Sequence, residues 1–398
     1  MRNAQNARES PKELNWPLWP LVPIYPYSQR RTLRHEIVSD SVWTFDQLQG
    51  IFYVTVPIRM TVIKLDEGGL LVYAPVAPTR ECLRLVNELV AKYGDVKYIV
   101  FPTSSGLEHK VFVGPFARHF PHAQVYIPPH QWSFPFDLPL SWLGFPKNRT
   151  DVLPSEASRA PFASQFDYSI LGPIDLGTGT FEEVALFDRR SRTLLLTDSI
   201  VSVPENPPAI VQYDPYPLLF HAKDTAFDDI EDSVENRRKG WHRICLFAFY
   251  FRPSVLETLN WGEVFRNALK AKDRSKRGYF GLFPFLWKEN WTRSFEALRE
   301  NGRPFVAPVL QTLILNRAPR ETLDWADRVA CWGFDRIVPC HFDAPIAANP
   351  QQFREAFSFL EKFPRGNCTL PETDLQLLRD IDARLNRSGL VPPAKEKV

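Results

Sequence analysis

The sequence predicts an α/β fold, a sheet with helices laid on its outer face, and three stretches carry that prediction. Residues 61–65 and 70–73 are apolar β-formers that flank Asp66-Glu67-Gly68-Gly69, a hairpin whose glycines supply the positive φ of the turn. Thr79 then caps a helix in which Cys82, Leu83, Val86, Leu89, Val90 and Tyr93 recur at helical spacing before Gly94 closes it. Residues 98–101 follow as a short strand, and Pro102, unable to donate to a central ladder, stops it. Hairpin, helix and strand in this order build a helix-covered sheet.

Ahead of the hairpin, residues 15–27 (NWPLWPLVPIYPY) are dense in proline and tryptophan and end at Arg30 and Arg31. They are expected to be an arm packed across the domain rather than a membrane anchor, because no helical period supports insertion. Past the strand, Thr103, Ser104, Ser105 and Gly106 form a loop, and Glu108 and His109 fall where a strand end opens onto a sheet edge. A carboxylate beside an imidazole supplies metal ligands or a general base, and in a solvated loop it supplies neither. A second βα-like step runs through 111–120 into a strand at 123–127.

Strand character returns at 183–187 and 193–197, a hairpin around Asp188-Arg189-Arg190-Ser191-Arg192 that ends in Asp198. From about 203 to 302 the βα rhythm is lost, and this insertion is expected to fold over the site as a helical lid. Its aromatic stretch at 278–291 (GYFGLFPFLWKENW) alternatively offers a surface for lipid or a partner. A helix around 321–332, a strand at 336–339 and a last helix capped by Asn349-Pro350 finish the pattern, with Cys340 and His341 at the strand's end. The organisation expected is an arm over 1–40, one domain over 41–365 and a tail over 366–398 that frays beyond Val391.

Composition narrows the function. At 398 residues, 44% apolar and 24% charged, the chain has material for a sizeable core. A net charge of +2 and the lack of any nucleic-acid-binding motif argue against a nucleic-acid partner. The five cysteines are widely spaced without a C-x-x-C, which points to a reducing, cytoplasmic setting. No apolar run approaches a membrane span, leaving only peripheral membrane contact open. Gly177-Thr178-Gly179 begins a G-x-G, but Glu182 stands where the third glycine belongs and no P-loop occurs, so no nucleotide cofactor is expected.

Three strand ends thus deliver Glu108 with His109, Asp198, and His341 toward one sheet edge. Two imidazoles and two carboxylates suit one zinc, iron or manganese ion. The order of these residues resembles the metallo-β-lactamase fold superfamily, which implies an αββα sandwich with its metals at a sheet edge. The family's T-H-x-H-x-D-H motif aligns with Thr103 to His109, T-S-S-G-L-E-H, with Ser104 and Gly106 in place of two histidines. A third family histidine precedes a strand such as VALF, and Gly179 is the nearest equivalent; the bridging aspartate matches Asp198 in LLLTDS and the last histidine His341 in IVPCH. The resemblance implies that a first metal site is lost and a second kept, held by Glu108, His109, Asp198 and His341. The phrases VPIRMTVIKL, GLEHKVFVGPFARHFP, QWSFP and FVAPVLQTLILNR are also similar to an uncharacterised metallo-β-lactamase-like group of cyanobacteria and plastids.

Three functions follow as expectations. The favoured one is a non-catalytic binding or accessory protein for a small molecule or protein partner. The second is a mononuclear metal-dependent hydrolase of an ester or phosphoester, with Lys110 orienting an anionic substrate. The third is a hydrogen-bonded cluster that binds no metal.

Overall fold

The structure, a computed structural model, describes residues 12–21, 23–132, 137–364 and 370–398. The start of the arm, the expected boundary at 365–366 and Cys368 lie outside those residues.

The first sheet has seven strands in sequential order: β1 (Leu33–Val38), β2 (Val42–Ile51), β3 (Val54–Lys64), β4 (Leu70–Tyr73), β5 (Val96–Val100), β6 (Gln124–Ile127) and β7 (Thr150–Val152). The first four run antiparallel and the rest are added in parallel. Helix α1 (Arg80–Tyr93) connects β4 to β5, with the Thr79 side chain accepting from the Cys82 amide at its start and Gly94 at φ 99° ending it. Helix α2 (Leu107–Ala117) connects β5 to β6. The second sheet begins with β8 (Phe166–Asp175), β9 (Thr180–Asp188) and β10 (Thr193–Leu196).

The segment after β10 is mostly helical: α3 (Ala209–Tyr213), α4 (Tyr216–Ala222), α5 (Val234–Tyr250), α6 (Trp261–Ala268) and α7 (Trp291–Arg299), with a small ribbon of β11 (Leu256–Thr258) and β12 (Phe285–Trp287). Two further helices, α8 (Pro308–Leu313) and α9 (Pro319–Ala330), lead into β13 (Arg336–Pro339), which lies parallel to β10, and the short edge strand β14 (Ile346–Ala347). Helix α10 (Pro350–Glu355) starts with a full capping box between Asn349 and Gln352, and α11 (Gln376–Arg387) follows.

The pleat sorts side chains into layers. Leu71 and Tyr73 of β4 face Val184 and Leu186 of β9, Leu195 of β10 and Val338 of β13 in a core between the two sheets. Leu70 and Val72, pointing the other way, pack under Cys82, Val86 and Leu89 of α1. Leu194, Leu196 and Ile337 likewise pack outward on Leu323, Trp325 and Val329 of α9. The result is the αββα sandwich expected of a metallo-β-lactamase-like chain.

Trp16 of the arm is buried against Phe112 of α2, ring centroids 5.4 Å apart. The C-terminal end, expected to fray, is instead tied down by hydrogen bonds from the Lys395 amide to the Asn316 carbonyl and from the Val398 amide to the Leu360 carbonyl. The sequence missed α11 for want of a strong cap: its N-cap is Leu375, which has no side-chain acceptor.

Within the helical segment, His221 on α4 is buried; its Nε2 donates to the Phe52 carbonyl at 3.1 Å, while Nδ1 has no partner among the described residues. Burial pushes its pKa down to about 4. The native state therefore refuses a proton that the unfolded chain accepts near pH 6.5, so this stabilisation is complete above about pH 6.5 and lost as pH falls toward 4. In urea unfolding, wild type is expected to lose about 2 kcal/mol more between pH 7 and pH 4.5 than His221→Gln. Equal slopes for the two proteins would contradict this.

Candidate functional site

The site lies where the ends of β5, β10 and β13 meet at one edge of the sandwich. The two sheets are joined there: the Val184 amide donates to the Pro102 carbonyl, the Ser104 amide to the Glu182 carbonyl, and Thr103 bridges to Glu183. This junction fixes the loop before α2. Glu108 and His109, expected in a loop, occupy the first helical turn. Helix α2 buries nine residues, His109 through Ala117, and so lacks the one-sided apolar period that marks a surface helix. Its early start was therefore hidden. Glu108 gains from the position, since a carboxylate in the first turn meets the positive end of the helix dipole.

The structure brings Glu108, Asp198 and His341 together. His341 Nε2 is 3.3 Å from Glu108 Oε2 and 3.3 Å from Asp198 Oδ1. Its Nδ1 lies 3.0 Å from the Pro57 carbonyl, an acceptor only, so Nδ1 carries a proton. Burial opposes a charge on this ring, but the bond to Asp198 and the charges of Glu108 and Asp198 outweigh it and hold the pKa up at about 9. His341 is thus an imidazolium between two carboxylates.

His109 lies beside it, ring centroids 6.2 Å apart, and is in the opposite state. Burial, helped by the charge on His341, pushes its pKa down to about 4. Its Nδ1 donates to the Pro75 carbonyl at 3.0 Å, which leaves the Nε2 lone pair buried and without a partner among the described residues. Each ring is aimed by a backbone carbonyl, Pro57 on β3 for His341 and Pro75 just past β4 for His109, the kind of outer contact that orients histidine ligands.

Two buried groups that sequence reasoning missed hold the arrangement. Glu183 on β9 accepts from the amides of Thr197, Asp198 and Ser199 and from the Ser199 hydroxyl, fixing the turn that carries Asp198. Burial and the neighbouring Asp198 charge push the Glu183 pKa up to about 7 in spite of these donors. Arg59 on β3 pairs with its cross-strand neighbour Asp46, Nε to Oδ1 at 2.7 Å, and donates to the carbonyls of Pro339 at 2.7 Å and Phe342 at 3.0 Å. It thereby holds the loop that carries His341. The available signal was a charge inside an apolar strand, Arg59 in VPIRMTVIKL and Glu183 in EEVALF.

Lys110 takes a different place from that expected of a substrate-orienting residue. It is fully buried, its ammonium donates to the carbonyls of Ser104 at 2.5 Å and Trp132 at 2.6 Å, and it is not among the residues lining the site cavity. The next residue along a helix turns about 100° from its neighbour, so Lys110 points away from where His109 points.

A cavity of about 520 Å³ opens over Glu108, His109, Asp198 and His341. Much of its wall is apolar, built from Val56, Phe249, Phe251, Val309, Leu310 and Phe342. Gln49 also lines it, with its amide nitrogen on Glu108 Oε2 at 2.6 Å and its Oε1 buried without a partner among the described residues. Among the described residues no three His, Cys, Asp or Glu side chains are spaced to hold an ion. Glu108, Asp198 and His341 close on one another instead. The donor set, two ring nitrogens and two carboxylates, is still of the kind that holds zinc, iron or manganese, and the orphaned His109 Nε2 fits such an ion.

A family model described as "Domain of unknown function (DUF4336)" matches residues 39–359. No curated protein matches the chain. Among solved structures, a DIM-1 metallo-beta-lactamase exposed to ceftazidime is 10% identical, with 83% of this chain and 97% of that one covered at a TM-score of 0.37. A metallo-beta-lactamase from Pontibacter korlensis is 12% identical over 82% of this chain and 99% of that one, TM-score 0.34. A mutant flavo di-iron protein from Thermotoga maritima is 10% identical over 83% of this chain and 62% of that one, TM-score 0.40.

The Arg59 clamp makes a direct test. Arg59→Met leaves Asp46 charged and unpaired in the interior and is expected to cost about 3–5 kcal/mol in urea unfolding. Arg59→Met combined with Asp46→Leu removes the stranded charge and is expected to recover part of that loss. A single variant as stable as wild type would show that the pair does not anchor the site.

Proposed function

The chain belongs to the family described as Domain of unknown function (DUF4336), and we propose that this member is a non-catalytic binding protein. Its cavity holds one transition-metal ion at the polar end, through Glu108, His109, Asp198 and His341, and the apolar part of a ligand against the opposite wall. The observation that carries this reading is a surplus of acceptors. His109 Nε2 and Gln49 Oε1 are buried without donors, beside two carboxylates that share one imidazolium. Such a cluster calls for a cation, and an ion there displaces the proton on His341 Nε2.

The positions of the other metal site support its loss. Ser104 spends its hydroxyl on the Thr180 carbonyl, and any side chain at Gly179 would come within 2.1 Å of the Trp132 ring. Neither Ser104 nor Gly179 therefore offers a free side-chain ligand to a second ion. With all four retained donors engaged, none is left among them as a general base, which favours binding over catalysis.

A second reading, a mononuclear hydrolase, draws on the cavity, which leaves room for a substrate directly over the cluster. The ion would then supply Lewis acidity toward an ester or phosphoester oxygen. Elemental analysis of the purified, untagged protein separates these readings from a metal-free cluster. About one ion per chain is expected, lost in both His109→Ala and His341→Ala. Full metal content in both variants would defeat the assignment, and turnover of phosphoesters or carboxylic esters by the loaded wild type would favour the hydrolase.

A further inference from the structure

The helical segment displays a surface that the cavity does not account for. Helix α6 buries Val264 and Ala268 and turns Trp261, Phe265 and Leu269 outward, 65%, 59% and 74% exposed. Spaced four residues apart they form one stripe, and the rings of Trp261 and Phe265 lie 5.9 Å apart. The turn Tyr279–Gly281 packs against the end of this helix, where a Cβ on Gly281 would meet Ala268 and Ala271. That turn presents Phe280, 64% exposed. Tyr279 in turn contacts Phe52, ring centroids 6.0 Å apart, at the tip of the β2–β3 hairpin. The apolar surface therefore runs from α6 to the mouth of a second cavity of about 390 Å³, which Phe52 and Phe251 line and which shares Gln49, Val56 and Glu108 with the site.

Two independent features mark this face as built for contact. Phe52, Phe251 and Phe280, all exposed, have φ of 50°, 60° and 58°. The left-handed region is unfavourable for bulky residues, yet the two-residue β2–β3 turn, the end of α5 and the turn at Tyr279–Gly281 each place an aromatic residue there where glycine or asparagine would be easier. The segment is also basic: residues 260–280 contain six lysines and arginines against two acidic residues, and of the six Arg277 is paired with Asp214. Asp273 already accepts from the Tyr216 hydroxyl and the Ser275 amide. Lys270, Lys272 and Lys276 are exposed and pair with no acidic group among the described residues.

We propose that this face docks on an anionic lipid surface. Aromatic rings settle at the depth of the headgroups, and the flanking ammonium groups meet lipid phosphates. No helix among the described residues is long and apolar enough to cross a membrane, so this contact is peripheral. Docking would bring the mouth of the cavity to the bilayer. The inference stands on the aromatic and basic surface alone and holds whether or not a metal is bound.

Flotation of the full chain with vesicles tests it, using phosphatidylcholine alone and phosphatidylcholine mixed with phosphatidylglycerol. Retention is expected only on the mixed vesicles and should fall as salt rises. Trp261→Ala with Phe265→Ala, and separately Lys270→Glu with Lys272→Glu, should each weaken partitioning roughly tenfold or more. These side chains are exposed, so an unchanged thermal midpoint certifies the fold of each variant. Absence of wild-type retention on anionic vesicles, or equal retention by wild type and both variants, overturns the proposal. Self-association lost in both variants without vesicle binding also overturns it and assigns the face to a second copy of the chain.

Discussion

Arg59 is the constraint on which the site depends. Its guanidinium is buried between the sheets' edges, and a buried cation is tolerable only when its donors are satisfied. Asp46 neutralises it from the adjacent strand, and the carbonyls of Pro339 and Phe342 complete its partners from the other sheet. The same contact therefore solves an electrostatic problem in the first sheet and fixes the His341 loop of the second. Glu183 does the mirror-image work, a carboxyl group buried in the second sheet whose partners are the amides of the Asp198 turn. The guanidinium takes carbonyls and the carboxyl group takes amides, and between them two irregular loops are held at one edge without help from regular ladders.

That division explains what could be read from the sequence. Elements that announce themselves by period or cap were legible: the β3–β4 hairpin, α1 with Thr79 and Gly94, and α10 with its Asn349-Pro350 start all form there. Strands β1, β2 and β8 were not, because they carry mixed polar residues whose burial is set by tertiary neighbours. Asp46, Gln47 and Gln49 in β2 are buried only because Arg59, Thr32 and Glu108 meet them. The start of α2 was obscured for the opposite reason, since a helix buried on every side has no face to show. At the candidate site, strand ends brought Glu108, Asp198 and His341 to one edge as pattern implied, whereas Lys110 could not be placed from spacing because one residue decides which side of α2 it takes.

The cluster's chemistry is governed by the tautomers that the scaffold imposes. Pro75 and Pro57 offer carbonyls to His109 and His341, so both rings carry a proton on Nδ1 and leave Nε2 for the site. The two then diverge because of distance to charge. His341 touches two carboxylates and holds a second proton; His109 touches none closely enough to offset burial and stays neutral. One ring is thus a donor and its neighbour an unused acceptor, and the asymmetry follows from where β5 and β10 end.

The sandwich and the helical segment are stabilised in different ways, and this gives each its part. In the sandwich, alternation on short strands fills three apolar layers, leaving side chains little freedom to move. The helical segment has no sheet to alternate against. Its main core, with Leu218, Trp241, Ile244, Leu246, Phe295 and Leu298, is joined by a smaller aromatic cluster in which Tyr53 of the β2–β3 tip, Phe220, Tyr279 and Phe283 meet mostly edge to face. Such packing is directional, and it seats the hairpin tip at Tyr53 against the turn at Tyr279, so that Phe52 and Phe280 beside them have nowhere to go but outward. The exposed rings are in this sense a consequence of the buried ones. A segment that organises itself through aromatic contacts ends with an aromatic surface at the mouth of the cavity, adjoining the polar cluster that the sandwich holds rigid.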